Sequence, residues 1–94
     1  MQLSREKVWN CVVQSIQEME CKLPTNGIDE KTEPIRTLGL ESADGLDFAC
    51  TLSEKLDYQI PNDLNPFVDD ARHRGRRIDE IVDLVWNLIR KEKG

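Results

Sequence analysis

An all-α fold is predicted for this 94-residue chain: a small antiparallel bundle of three main helices plus a short third helix in chain order, with a long loop between the first two main helices. Two observations carry that expectation. Apolar residues recur at helical spacing near both ends and in the middle of the chain, and no segment alternates apolar and polar residues as a half-buried strand does. Short helices joined by loops, with no strand to pair, pack as a bundle.

The first helix is predicted from about Ser4 to Met19. Ser4 can cap it, with Lys7 rather than an acid three residues on. Val8, Val12, Ile16 and Met19 form its stripe, which Trp9 and Val13 widen. Trp9 reads as a core or core-edge aromatic. Pro24, Asn26 and Gly27 then break the pattern and open a connection that runs to about Leu40. A loop of that length needs its own anchors, and Ile28, Ile35, Leu38 and Leu40 are the candidates.

A second helix is predicted from about Ser42 to Leu56. Leu46, Phe48, Ala49, Cys50, Leu52 and Leu56 cover more than one stripe, so this helix is either wedged in a core or shows a second apolar face to something else. Gly45 is out of place inside it, because an interior Gly costs about 1 kcal/mol relative to Ala. Pro61 ends any regular element. A short helix near Pro66 to Ala71 is expected, with Pro66 in its first turn. The last helix, from about Ile78 to Lys91, lines one face with Ile78, Ile81, Val82, Val85 and Ile89.

This length accommodates one domain spanning residues 1–94 and one modest core. A formal net charge of -5 and a pI near 4.8 argue against nucleic-acid binding, which needs an excess of Lys and Arg. No stretch reads as a membrane span or a secretory signal. Cys11, Cys21 and Cys50 form no CxxC pair, and one His with three scattered Cys makes no metal-ligand spacing. Cys11 and Cys50 sit in apolar patterns as small hydrophobes. A reduced, cytoplasmic monomer without a metal site is the expectation.

The stretch that carries chemistry is Leu38-Gly39-Leu40-Glu41-Ser42-Ala43-Asp44-Gly45-Leu46-Asp47. A serine stands between a loop and a helix, flanked by acids. One reading is a helix cap, since Ser before a helix satisfies an orphan N–H, and acids suit the dipole there. The other comes from the longer context. From Leu38 to Pro61 the chain resembles the acyl carrier protein family without a gap. Leu38-Gly39, Glu41-Ser42-Ala43, Asp44, Leu46, Asp47, Leu52, Glu54 and Ile60-Pro61 occupy the places of the family's Leu-Gly pair, Asp-Ser-Leu motif, acidic helix and closing Ile-Pro pair. Amphipathic helices before and after the stretch extend the resemblance over most of the chain.

That resemblance implies a carrier with no catalysis of its own. Ser42 would be esterified to 4'-phosphopantetheine by a phosphopantetheinyl transferase, and the arm would hold an acyl group as a thioester. A phosphodiester at a helix N-terminus meets free N–H groups and the positive end of the dipole. Partners would be acyl-transferring, acyl-ligating or condensing enzymes of fatty-acid, polyketide or specialised lipid biosynthesis. Between Glu41 and Asp57 stand five acids (Glu41, Asp44, Asp47, Glu54, Asp57) and one Lys (Lys55), a net of -4. In family members such a face docks on basic partner surfaces, which assigns Glu41, Asp44, Leu46, Asp47 and Glu54 to docking. An ordinary solvated face is the alternative for each acid. Helical spacing and the resemblance together assign Phe48, Leu52, Ile60, Ile81 and Val85 to an acyl-chain pocket.

Three features depart from the family. Ala43 replaces the usual Leu after the serine, Gly45 loosens the first turn, and the chain between Pro61 and Ile78 is longer than usual. That insertion holds Arg72-His73-Arg74-Gly75-Arg76-Arg77. Its four arginines read as a solvated loop, as partners for the acids of the second helix, or as a dock for an acidic or phosphorylated partner. The departures point to a specialised carrier. Rival readings are a peptidyl or aminoacyl carrier, an unmodified helical adaptor with Ser42 as a cap, and a hydrolase using Ser42, His73 and an Asp. The last lacks a G-x-S-x-G elbow.

Overall fold

Helix α1 (Arg5–Gln17) begins where the sequence offers a cap: the Ser4 hydroxyl accepts the Lys7 N–H at 3.1 Å. The computed structural model describes residues 4–19, 27–61, 63–69, 71 and 74–93, so Cys21, Pro24, Asn26, Arg72 and His73 lie outside the described residues. Val8, Cys11, Val12 and Ile16 turn the inner face of α1 to the core, as their spacing predicts. Ser15 is also buried, and its hydroxyl donates to the Cys11 carbonyl at 2.7 Å, so the burial leaves no orphan.

The described part of the long connection is tied down by its own apolar residues. Leu38 and Leu40 are buried, while Ile28 and Ile35 pack on the core from its edge. Two of its carbonyls also complete the last helix. Thr32 accepts the Ile78 N–H at 2.8 Å and Glu30 accepts that of Asp79 at 3.1 Å, satisfying donors that a helix start leaves free.

Helix α2 (Asp44–Leu56) buries Gly45, Phe48, Ala49, Leu52 and Leu56, and ends at Asp57 in the left-handed conformation, φ 51°. Helix α3 (Ile78–Lys93) buries Ile78, Ile81, Val82, Val85 and Ile89. The α1 helix packs against both α2 and α3. Ion pairs Arg5–Asp83 and Lys55–Glu18 add a charged contact along each of those seams.

The segment after Pro61 corrects the sequence reading, which expected a short helix near Pro66–Ala71 and no strands. Val68–Asp69 (β1) instead pairs antiparallel with Arg74–Gly75 (β2), Val68 opposite Gly75 and Asp69 opposite Arg74. The backbone groups that a helix would use are taken elsewhere. The Asn65 side chain accepts the Phe67 N–H at 3.0 Å, and the Phe67 carbonyl accepts the Arg76 N–H at 2.8 Å. The Arg76 guanidinium donates to the Val68 carbonyl at 2.7 Å and the Asn65 carbonyl at 3.0 Å. Phe67 is thereby fully buried and packs on Phe48, ring centroids 4.9 Å apart. Among the described residues the fold is thus α1 packed against α2 and α3, with one minimal hairpin.

Candidate functional site

Ser42 reaches the surface because of what precedes it. Leu38 and Leu40 are buried on either side of Gly39, whose φ of +75° lets the chain turn between them. Leu40 is further held by its N–H to the Pro34 carbonyl at 3.1 Å. Glu41, Ser42 and Ala43 follow directly and are exposed.

From Glu41 the backbone winds into α2 through three tight i to i+3 bonds: Asp44 to Glu41 at 3.0 Å, Gly45 to Ser42 at 3.1 Å and Leu46 to Ala43 at 3.2 Å. The cap residue, Ala43, offers no side-chain acceptor. The Asp44 carboxylate instead reaches back three residues to accept the Glu41 N–H at 2.8 Å, bracing the turn that leads into the helix. The Ser42 hydroxyl bonds to no described residue, and neither do the Ser42 and Ala43 N–H groups. An exposed hydroxyl therefore lies beside two free donors at a helix start.

The Ser42 carbonyl has a second partner from far along the chain: Asn65 Nδ2 donates to it at 2.7 Å. That contact explains Gly45. A Cβ there would stand 1.9 Å from Asn65 Oδ1 and 2.8 Å from Asn65 Cγ, so no larger residue fits while Asn65 is in place. Sequence reasoning missed Asn65, Phe67 and Arg76. The costly interior glycine was the one signal of a close approach.

The five docking residues do not share one environment. Leu46 is half exposed (50%), and Glu41, Asp47 and Glu54 are exposed, with Asp47, Cys50 and Glu54 aligned on one stripe of α2. Asp44 is half-buried and its carboxylate is occupied by the Glu41 N–H. Cys50, expected inside an apolar pattern, is exposed and free.

Phe48, Leu52, Ile60, Ile81 and Val85 all lie in the buried core cluster. The open groove beside them, about 130 Å³, is lined instead by Leu46, Ala49, Cys50, Ser53, Gln59, Ile60, Pro61 and Leu64. Ile60 is common to both. The second apolar stripe of α2 was the sequence signal for this groove.

Arg74, Arg76 and Arg77, the described arginines of the cluster, are engaged within their own segment and with α3, not with the acids of α2. Arg74 pairs with Glu80 at 2.6 Å, and Arg77 with Asp79 at 3.3 Å and Glu80 at 3.6 Å. Arg76 serves the loop carbonyls. Burial raises the Glu80 pKa, but the Arg77 N–H at 2.9 Å, the Arg74 hydrogen bond and both guanidinium charges outweigh it, leaving Glu80 below the ordinary range. His73, the base required by a hydrolase, lies outside the described residues, and no described base bonds to the Ser42 hydroxyl. Among the described residues no helix is long and apolar enough to cross a membrane. No family model, no curated protein and no solved structure matches this chain at a significant level.

Proposed function

We propose that this protein is an acyl carrier, modified at Ser42 with 4'-phosphopantetheine and presenting thioester-linked acyl groups to partner enzymes in the cytoplasm. The observation that carries the reading is the state of Ser42. It stands one residue before the cap position of α2, the turn around it is closed by backbone bonds and the Asp44 carboxylate, and the Ser42 hydroxyl is left exposed. The Ser42 and Ala43 N–H groups suit the phosphodiester of such an arm, with the helix dipole adding to them. The arm's terminal thiol would supply the thioester chemistry. Ser42 would hold the arm, and the chain's remaining contribution would be to raise the local concentration of cargo at partners.

On this reading the bundle is a carrier fold in which the hairpin segment replaces the short third helix. Leu46, Asp47, Glu41 and Glu54 form the docking face. Phe48, Leu52, Ile60, Ile81 and Val85 bound the acyl site, entered beside Ile60 from the groove. A broad-specificity phosphopantetheinyl transferase with coenzyme A should add one arm to the wild type and none to Ser42→Ala, read by intact-protein mass. An arm mapped to another residue, or an unchanged wild-type mass with several transferases, would overturn the assignment. The peptidyl-carrier alternative is separated by the mass of the native cargo.

The second reading, an unmodified adaptor, is favoured by the half-exposed Leu46 at the rim of the groove. It predicts that Ser42→Ala leaves every partner interaction intact.

A further inference from the structure

Ser42 is held on both flanks while its hydroxyl stays exposed. Upstream, the Asp44 carboxylate fixes the Glu41 amide at 2.8 Å. Downstream, Asn65 Nδ2 holds the Ser42 carbonyl at 2.7 Å from 23 residues away in the chain. The orientation of the Asn65 amide follows from its partners: the Phe67 N–H can only donate, so it faces Oδ1, and Nδ2 must face the Ser42 carbonyl. Asn65 is mounted on a braced segment. Phe67, two residues on, is fully buried against Phe48, and Arg76 binds the Asn65 carbonyl at 3.0 Å. Gly45 supplies the clearance in which the Asn65 amide sits.

We propose that Asn65 is a positioning residue for modification at Ser42: by holding the Ser42 carbonyl it sets the direction in which Oγ is presented to the transferase. This inference rests on the carrier reading and adds to it a determinant on the inserted segment, away from the acidic face of α2. In the transfer the Ser42 O–H bond breaks and an Oγ–P bond forms to the phosphopantetheine phosphate of coenzyme A. The P–O bond to adenosine 3',5'-bisphosphate breaks, and the proton leaves to a base on the transferase. Displacing a nucleophile by about 1 Å can slow such a reaction a hundredfold. Asn65 touches neither coenzyme A nor the reacting atoms, so its effect is transmitted through the Ser42 peptide.

The test compares loading kinetics and melting temperatures of the full chain as wild type, Asn65→Asp, Gly45→Ala and the double variant Gly45→Ala/Asn65→Ala, with coenzyme A and a broad-specificity transferase. Asn65→Asp keeps the acceptor for the Phe67 N–H but turns an oxygen towards the Ser42 carbonyl. Its kcat should fall by about ten- to a hundredfold with KM unchanged, because the docking face is intact. Gly45→Ala should lower both melting temperature and kcat, since its Cβ displaces Asn65. The double variant removes that clash and gains the better helix former, so its melting temperature should recover while its kcat does not. Recovery of kcat together with stability would show that Asn65 only fills space, and would overturn the proposal. So would a wild-type kcat in Asn65→Asp. If Asn65→Asp fails to fold, the double variant decides. A wild type that accepts no arm from any transferase overturns the carrier reading itself and removes this role with it, an outcome distinct from normal loading of the variants.

Discussion

The start of α2 is closed by backbone bonds and one carboxylate, without a serine cap. Asp44 satisfies the Glu41 N–H, and the Ser42 hydroxyl takes no part in the turn. In the hairpin segment the single Nη1 of Arg76 serves the Asn65 and Val68 carbonyls at 3.0 and 2.7 Å. The Asn65 carbonyl also accepts the Val68 N–H at 3.3 Å, so Arg76 reinforces a turn that the backbone already closes. Replacing Arg76 with Met keeps most of the aliphatic stem and removes only the donor. Arg76→Met should cost about 1–3 kcal/mol in chemical denaturation, the usual range for hydrogen bonds lost from a charged donor. A change below a few tenths would mean that water substitutes fully and that Arg76 braces nothing.

At the level of elements, α3 begins with the same device as α2. The Glu80 carboxylate accepts the Arg77 N–H three residues back at 2.9 Å, and also pairs with Arg74. Its folded-state pKa is therefore lowered. In this case the unfolded chain binds the proton more readily than the folded one, so stability rises with pH across the window. The contribution is fully present above the unfolded value of about 4.3 and is lost as pH falls through the lower folded value. Glu80→Gln should flatten the acid side of the stability profile in that window and lower stability near neutral pH, read by urea midpoints. An acid limb as steep in Glu80→Gln as in wild type would assign the acid sensitivity to other carboxylates.

For the whole molecule, the distribution of charge matters more than its total. Most of the net charge of -5 can be traced to the stretch around α2, while Arg74 and Arg77 of the insertion are paired locally with Asp79 and Glu80. On the carrier reading that acidic face would steer a basic partner. Because the Asp44 carboxylate also holds the Glu41 N–H, charge reversal there would disturb the turn into α2, and Asp47 with Glu54 is the cleaner pair. Asp47→Lys/Glu54→Lys should slow association with the transferase by on the order of tenfold at low salt. Wild type should lose that advantage as salt rises, since exposed charges are screened over about 8 Å at physiological ionic strength. Equal, salt-independent rates for both proteins would place the docking face elsewhere.

The three main helices were legible from sequence because each buries a stripe whose spacing is local. Ser4 as a cap, the stripe from Val8 to Ile16, the anchoring of the long loop by Leu38 and Leu40, and the face from Ile78 to Ile89 all follow from neighbours a few residues apart. The same locality brought Ser42 to the end of a loop and the start of a helix. Its freedom from capping was not legible in that way, since the Asp44 and Gly45 N–H groups that a Ser42 cap would bind are taken by the Glu41 and Ser42 carbonyls, which only the folded backbone decides. The hairpin was beyond reach for a stronger reason. Residues 66 to 69 carry no periodic pattern, and their conformation depends on Arg76, further along the chain, and on Phe48, far earlier in it. Gly45 shows the boundary most clearly: the sequence marked it as costly for a helix, but the side chain that requires it, Asn65, comes into contact only when the chain has folded.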